Sequence, residues 1–199
     1  AGILFAKSVE LARPPDHKDG VNHLELVLIL DKSGSMSGLE SDTIGGFNSM
    51  IEKERKEGID ASVTTVLFDT KFNVIHDRTP LAKVENLTSK EYYASGNTAL
   101  LDAVGSTIAR IERVPDIYAK NNRVLFVIIT DGIENSSREY SKAQIKKMIS
   151  DKQEKYDWEF IFLGANIDAA SEAESIGIQR SNAVKYQNNS EGVQKNFEA

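Results

Sequence analysis

Three runs of nearly unbroken apolar residues set the limits on what this chain can fold into. Leu24–Leu30 contains one charge, Glu25; Arg123–Thr130 carries VLFVIIT as its centre; Trp158–Leu163 reads WEFIFL. Apolar runs of this length, without polar alternation, are strands covered on both faces. Between them, apolar residues recur at three- and four-residue spacing. Ile44, Phe47 and Ile51 mark a helix ending near Gly58, and Leu101, Val104, Ile108 and Ile111 mark one stopped before Pro115. Ser141 opens a third, with Ile145, Met148 and Ile149 facing inward. A helix from about Asp168 to Ser175, a short strand Ala183–Tyr186 and a helix begun by Val193 and Phe197 complete the pattern. Such alternation predicts an α/β fold: doubly wound, with a mostly parallel sheet and helices on both faces. Ala61–Phe68 and Lys71–His76, separated by Asp69-Thr70 alone, predict a hairpin that supplies one antiparallel edge strand.

Residues 23–199 are read as one domain, a size that a single α/β core sustains. Residues 1–22, with Pro14, Pro15 and Gly20, are read as a leader that is disordered or foreign to the domain. The alternative is an added element that packs Ile3 to Phe5 on a sheet edge. A net charge of −6 with no Lys/Arg cluster argues against nucleic acid as a partner. The run Glu52–Glu57 alternates in sign and reads as a solvated helix end. No apolar stretch approaches the roughly 20 residues of a membrane span, so no membrane partner is expected. The chain has no cysteine, which excludes disulfides and thiolate chemistry and fits a cytoplasmic setting. The glycosylation-type triplets at Asn86, Asn135 and Asn188 are read as chance.

In open parallel sheets, function gathers outside the carboxyl ends of the strands. Three loops leave that edge with oxygen-bearing side chains: Asp31-Lys32-Ser33-Gly34-Ser35, Ser95-Gly96-Asn97-Thr98 and Thr130-Asp131-Gly132. Together they offer the hydroxyls of Ser33, Ser35 and Thr98 and the carboxylates of Asp31 and Asp131, with Gly34 letting the first loop curl. An all-oxygen set suits a hard dication such as Mg²⁺. The three histidines are scattered and there is no thiolate, so softer metals are disfavoured. The carboxylates reach the ion directly or through its waters. A shell made largely of neutral hydroxyls leaves the dication under-neutralised and receptive to an outside anion, such as an Asp or Glu carboxylate of another protein.

DKSGSM at 31–36, Thr98 within SGNTALLDAV and TDG at 130–132 resemble the metal-ion-dependent adhesion site of von Willebrand factor type A (VWA) domains. The likeness spans roughly residues 22–187, and its tail, FIFLGANIDAASEAESIGI at 160–178, resembles bacterial and phage-type members. It implies a Rossmann-like fold in which Ser33, Ser35 and Thr98 reach Mg²⁺ or Mn²⁺, while Asp31 and Asp131 hold it directly or through water. It also implies that the ion recruits an acidic residue of a protein ligand, and that the chain is no enzyme.

Each position has a structural alternative. Asp31 can brace its own turn, Thr98 can cap the helix that follows it, and Asp131-Gly132 can be a simple turn. Asn166 is read as bracing a loop, Asp69 as a hairpin residue and Glu134 as a solvated loop charge. Met36 is either an exposed contact or buried. At the level of function, the rivals are a scaffold that binds through another surface with a structural metal, and a metal-dependent phosphohydrolase with Asp31 as nucleophile. The latter lacks a second acid, since residue 33 is Ser, and Lys32 is expected to point away. No GxSxG, GxxxxGK or GxGxxG motif is present.

Overall fold

The computed structural model describes residues 20–131, 134–165 and 168–186. Its six-stranded sheet is built from β1 (His23–Asp31), β2 (Ala61–Phe68), β3 (Phe72–Pro80), β4 (Asn122–Thr130), β5 (Glu159–Ala165) and β6 (Ala183–Tyr186). The strand order is β3-β2-β1-β4-β5-β6. All pairs are parallel except β2–β3, the antiparallel hairpin at one edge. The helices are α1 (Glu40–Lys56), α2 (Leu100–Ile111), α3 (Lys142–Tyr156) and α4 (Ala169–Ser175).

Period-two alternation divides each strand between two cores. Leu24, Leu26, Leu28 and Leu30 of β1 pack with Phe47, Met50 and Ile51 of α1 and with Leu81, Val84, Leu87 and Tyr92 of the segment after β3. Val27 and Ile29 face the other way, onto α2, onto Ile145 and Ile149 of α3, and onto Ala169 and Ala173 of α4. Both faces are therefore covered, as the unbroken apolar strands require. The architecture is that of a Rossmann/VWA-like α/β fold.

Element boundaries differ from expectation where polar residues do structural work. β3 continues beyond His76 to Pro80 through register shifts opposite Val63–Val66, with Arg78 at φ 49°. A bulge of this kind carries polar residues that leave no strand pattern in the sequence. α1 begins four residues before its first periodic residue, Ile44, with Glu40 and Asp42 in its first turn. Ser141 caps α3 as expected, and Gln144 completes a reciprocal capping box. The run Glu52–Glu57 is not simply solvated. Glu54 is buried, and Arg55 donates from Nε to the Leu81 carbonyl at 3.0 Å and from its terminal nitrogen to that of Val84. The leader expected over 1–22 lies, up to residue 19, outside the described residues, as do Asn166 and the helix expected around Val193 and Phe197.

The chain turns from β1 to β2 on one side and later crosses to β4 on the other. β1 and β4 are thus neighbours at the point where strand order reverses, the position where open α/β sheets present ligand sites. Their register, Leu30 opposite Ile129, sets the ends Asp31 and Thr130 side by side.

Candidate metal centre

Asp31 ends β1 fully buried, and both its oxygens are engaged. Oδ1 accepts the Ser33 N–H at 2.7 Å, and Oδ2 accepts the Thr130 hydroxyl at 2.6 Å. Its carbonyl accepts the hydroxyl of Tyr92, itself fully buried. The turn-bracing reading of Asp31 is therefore correct as far as it goes. Its effect is to aim the next residues back over the strand end. A short 3-10 turn, Gly34–Met36, supplies the curl, and Met36 is buried. Gly96 of the second loop is left-handed, at φ 78°, and its carbonyl accepts the Gly34 N–H at 2.9 Å. The two loops are thereby joined through backbone.

The side chains expected to act together do meet. The Thr98 hydroxyl donates to Ser33 Oγ at 3.0 Å, Ser33 Oγ and Ser35 Oγ lie 2.9 Å apart, and the Ser35 hydroxyl donates to Asp131 Oδ1 at 2.6 Å. Since the single Ser35 proton is directed to Asp131, Ser33 must donate to Ser35. The chain runs Thr98 to Ser33 to Ser35 to Asp131, with Asp31 beneath it. Each hydroxyl keeps at least one acceptor lone pair. Thr98 does not cap α2: Ala99 occupies the cap position, and no side-chain cap bond is made there.

Both carboxyls are pushed above the usual carboxylate value of 3.8, Asp31 by burial and Asp131 by burial and then by the charge of Asp31. Among the described residues no lysine, arginine or histidine forms an ion pair with either. Lys32, next in chain, is engaged elsewhere: its Nζ lies 3.7 Å from the Asp69 carboxylate and 4.1 Å from the centre of the Tyr93 ring. Asp69 also braces its own turn as expected, accepting the Lys71 N–H at 2.9 Å. Two carboxyls of raised pKa beside a run of hydroxyls, without an ion-pair partner among the described residues, are a donor set that a hard dication fits. No group of three or more His, Cys, Asp or Glu side chains placed to hold a metal occurs among the described residues. Any ion here would depend on the hydroxyls.

Two residues of the third loop act in ways the sequence reading missed. Glu134 is no solvated charge. Its carboxylate accepts the N–H groups of Leu101 (2.9 Å), Ser136 (3.1 Å) and Ser137 (2.6 Å) and the Ser137 hydroxyl (2.8 Å). It thereby caps α2 from a different loop and favours the helix dipole. Asn135 accepts the Thr98 N–H through its side-chain oxygen at 2.9 Å and donates its own N–H to the Thr98 carbonyl at 3.0 Å. Asp102 of α2 answers by accepting the N–H groups of Arg138, Glu139 and Tyr140. An acid three residues beyond a strand-end Asp and shortly before a helix signal was the available clue.

No protein-family model matches the chain, and no curated protein sequence does. Solved structures do. Proximal thread matrix protein 1 from the mussel byssus aligns with TM-score 0.60 at 17% identity over 90% of this chain and 45% of that one. The D319A mutant of the PilB minor pilin from Streptococcus sanguinis aligns with TM-score 0.60 at 15% identity, over 92% of this chain and 61% of that one. At such identities the likeness shows the fold alone, and the chain spans less than two thirds of either protein.

Proposed function

We propose that the chain is a non-enzymatic protein-binding module of VWA type. In this reading Ser33, Ser35 and Thr98 hold Mg²⁺ or Mn²⁺, with Asp31 and Asp131 holding it directly or through water, and the ion takes an Asp or Glu carboxylate from a partner. The observation that carries it is the convergence of Thr98, Ser33, Ser35 and Asp131, from three loops, into one hydrogen-bonded chain of side chains at the strand-order reversal, with Asp31 bonded to the Ser33 N–H beside it. An ion held largely by neutral hydroxyls keeps much of its positive charge and would accept a further carboxylate from outside. The module is residues 23–199, with 1–22 outside it, and the tail at 160–178 speaks for the bacterial and phage-type branch. The absence of cysteine favours a cytoplasmic setting. No helix among the described residues is long and apolar enough to cross a membrane.

The surroundings suit a protein partner. Phe72 and Tyr93, 43% and 52% exposed, lie on the segments flanking the second loop. The Thr70 hydroxyl, two residues before Phe72, accepts the Asn97 N–H at 3.0 Å, and the Ser95 N–H donates to the Lys32 carbonyl at 2.8 Å. Large exposed aromatics beside a charged site are typical anchor residues. The phosphohydrolase reading loses ground here, because both Asp31 oxygens are engaged and Lys32 is held by Asp69 and Tyr93. The names of the similar structures, a thread matrix protein and a minor pilin, also favour binding over catalysis.

Calorimetric titration of Mg²⁺ and Mn²⁺ into chelator-stripped protein tests the reading, with Thr98→Ala beside it. Saturable binding to the wild type and its loss in a folded variant are expected; no binding in folded wild type would leave a scaffold working through another surface. Phe72→Ala and Tyr93→Ala are expected to leave metal titrations unchanged. Each should weaken capture of a partner by about tenfold or more, the ~1.4 kcal/mol scale of an interface anchor, which surface plasmon resonance would read.

A further inference from the structure

We infer that Asn135 is a positioning residue for Thr98, so that the loop supplying one metal ligand, Asp131, also sets the aim of another. The inference rests on the metal-site reading. A threonine directly before a helix is ordinarily drawn to the helix's own free N–H groups. Here that demand is met from elsewhere: Glu134 takes the Leu101 N–H at 2.9 Å, and the Ser137 hydroxyl takes that of Asp102 at 3.0 Å. The Thr98 hydroxyl is released from capping and donates to Ser33 instead.

Freedom from capping does not by itself fix direction. Asn135 does that by pairing with both backbone groups of Thr98, its side-chain oxygen with the N–H and its own N–H with the carbonyl. Two bonds on one residue fix the peptide planes on either side, and with them the direction of Cα–Cβ. Asp131 and Asn135 are four residues apart in one chain segment. Asn135 thus ties the second loop to the segment that follows Asp131. Outer partners of metal ligands commonly change affinity by 10–100-fold. Asn135 is exposed to competing water, which puts its effect at the lower end, about tenfold.

The test is Mn²⁺ binding to wild type, Thr98→Ala, Asn135→Ala and Asn135→Asp, followed by calorimetry and by water-proton relaxation of the bound ion. Asn135→Ala should weaken Mn²⁺ about tenfold and shift relaxation toward the Thr98→Ala signature, as water replaces the misdirected hydroxyl. Asn135→Asp keeps the acceptor oxygen and should restore wild-type relaxation, with affinity at least as tight because it adds negative charge. Thermal unfolding of the metal-free variants gauges the change in fold separately. If wild type binds and Thr98→Ala does not, yet Asn135→Ala matches wild type in affinity and relaxation, the positioning role is overturned while the metal site stands. If Asn135→Ala lowers only the unfolding midpoint, the clamp is structural and the inference falls. If folded wild type binds no Mn²⁺ at all, the metal-site reading and this inference fall together.

Discussion

Mg²⁺ at a hundred times its dissociation constant is expected to raise the unfolding midpoint of chelator-stripped protein by about 5–10 °C, and Asp131→Asn is expected to abolish that rise. Saturation to this degree contributes about 2.7 kcal/mol, and a chain of this size gains about 2–4 °C per kcal/mol. The metal-free midpoint should move the other way: Asp131→Asn should raise it at neutral pH. Asp31 and Asp131 have folded-state pKa values above the ordinary 3.8, from burial first and, for Asp131, from their mutual repulsion. For such groups the favourable contribution is fully present below the unfolded-state value and is lost as pH rises through the raised values. As pH rises through those values the metal-free protein loses stability, because each carboxylate that forms is held in unfavourable surroundings. The amide removes one charge while its oxygen can still accept the Ser35 hydroxyl, which now donates at 2.6 Å. Differential scanning fluorimetry of both proteins, with and without Mg²⁺, from pH 4 to pH 8 would check this. The metal-induced shift of wild type should grow with pH, because the cation competes with protons for the same oxygens. An Asp131→Asn protein with a lower metal-free midpoint and an undiminished Mg²⁺ shift would contradict the assignment.

The strand–helix alternation was legible because buried parallel strands and amphipathic helices have distinct periods. The site was legible for a different reason. Asp31, Ser33, Ser35, Thr98 and Asp131 are poor core residues placed directly after predicted strands or at a predicted helix start, so their side chains had to meet at one edge. What escaped was polar structure whose partner is distant in sequence. Glu134 looked like a loop charge because its helix amide belongs to Leu101, 33 positions away. Glu54 and Arg55 looked solvated because the carbonyls that Arg55 reaches lie on a segment without periodicity. The continuation of β3 past His76 was hidden by a bulge whose reason lies two strands away, at Glu25.

Glu25 also bears on how the metal site is read, through the expected cost of Arg78→Met. Glu25 is fully buried near the start of β1, the strand that ends in buried Asp31. For Glu25 the protein provides its own cation. Arg78 crosses β2 to bind it in bidentate fashion, Nε to Oε1 at 2.8 Å and the terminal nitrogen to Oε2 at 3.0 Å, with His23 Nε2 3.5 Å from Oε2. The bulge and the left-handed backbone of Arg78 serve this reach, and its N–H is satisfied by Thr64 Oγ1 at 3.1 Å. Removing one partner of a buried pair costs about 3–5 kcal/mol, because the other charge stays buried. The Arg78 side chain is 39% exposed, so water and His23 soften the loss to about 2–3 kcal/mol. Arg78→Met should thus lower the unfolding midpoint by about 5–10 °C. The double variant Glu25→Met/Arg78→Met should recover most of the difference, since an apolar pair of similar volume replaces the ionic one. A fall below about 1 °C in the single variant would show that the pair behaves as an exposed one. Mg²⁺ titration of Arg78→Met should match wild type, because the six residue steps from Glu25 to Asp31 span about 20 Å of strand. One strand thus buries a carboxylate near each end. The lower one has an arginine brought to it across a neighbouring strand, and the upper one, bonded to the Ser33 N–H and the Thr130 hydroxyl, has no cation among the described residues. That asymmetry favours reading the upper end as a site that takes its cation from solution.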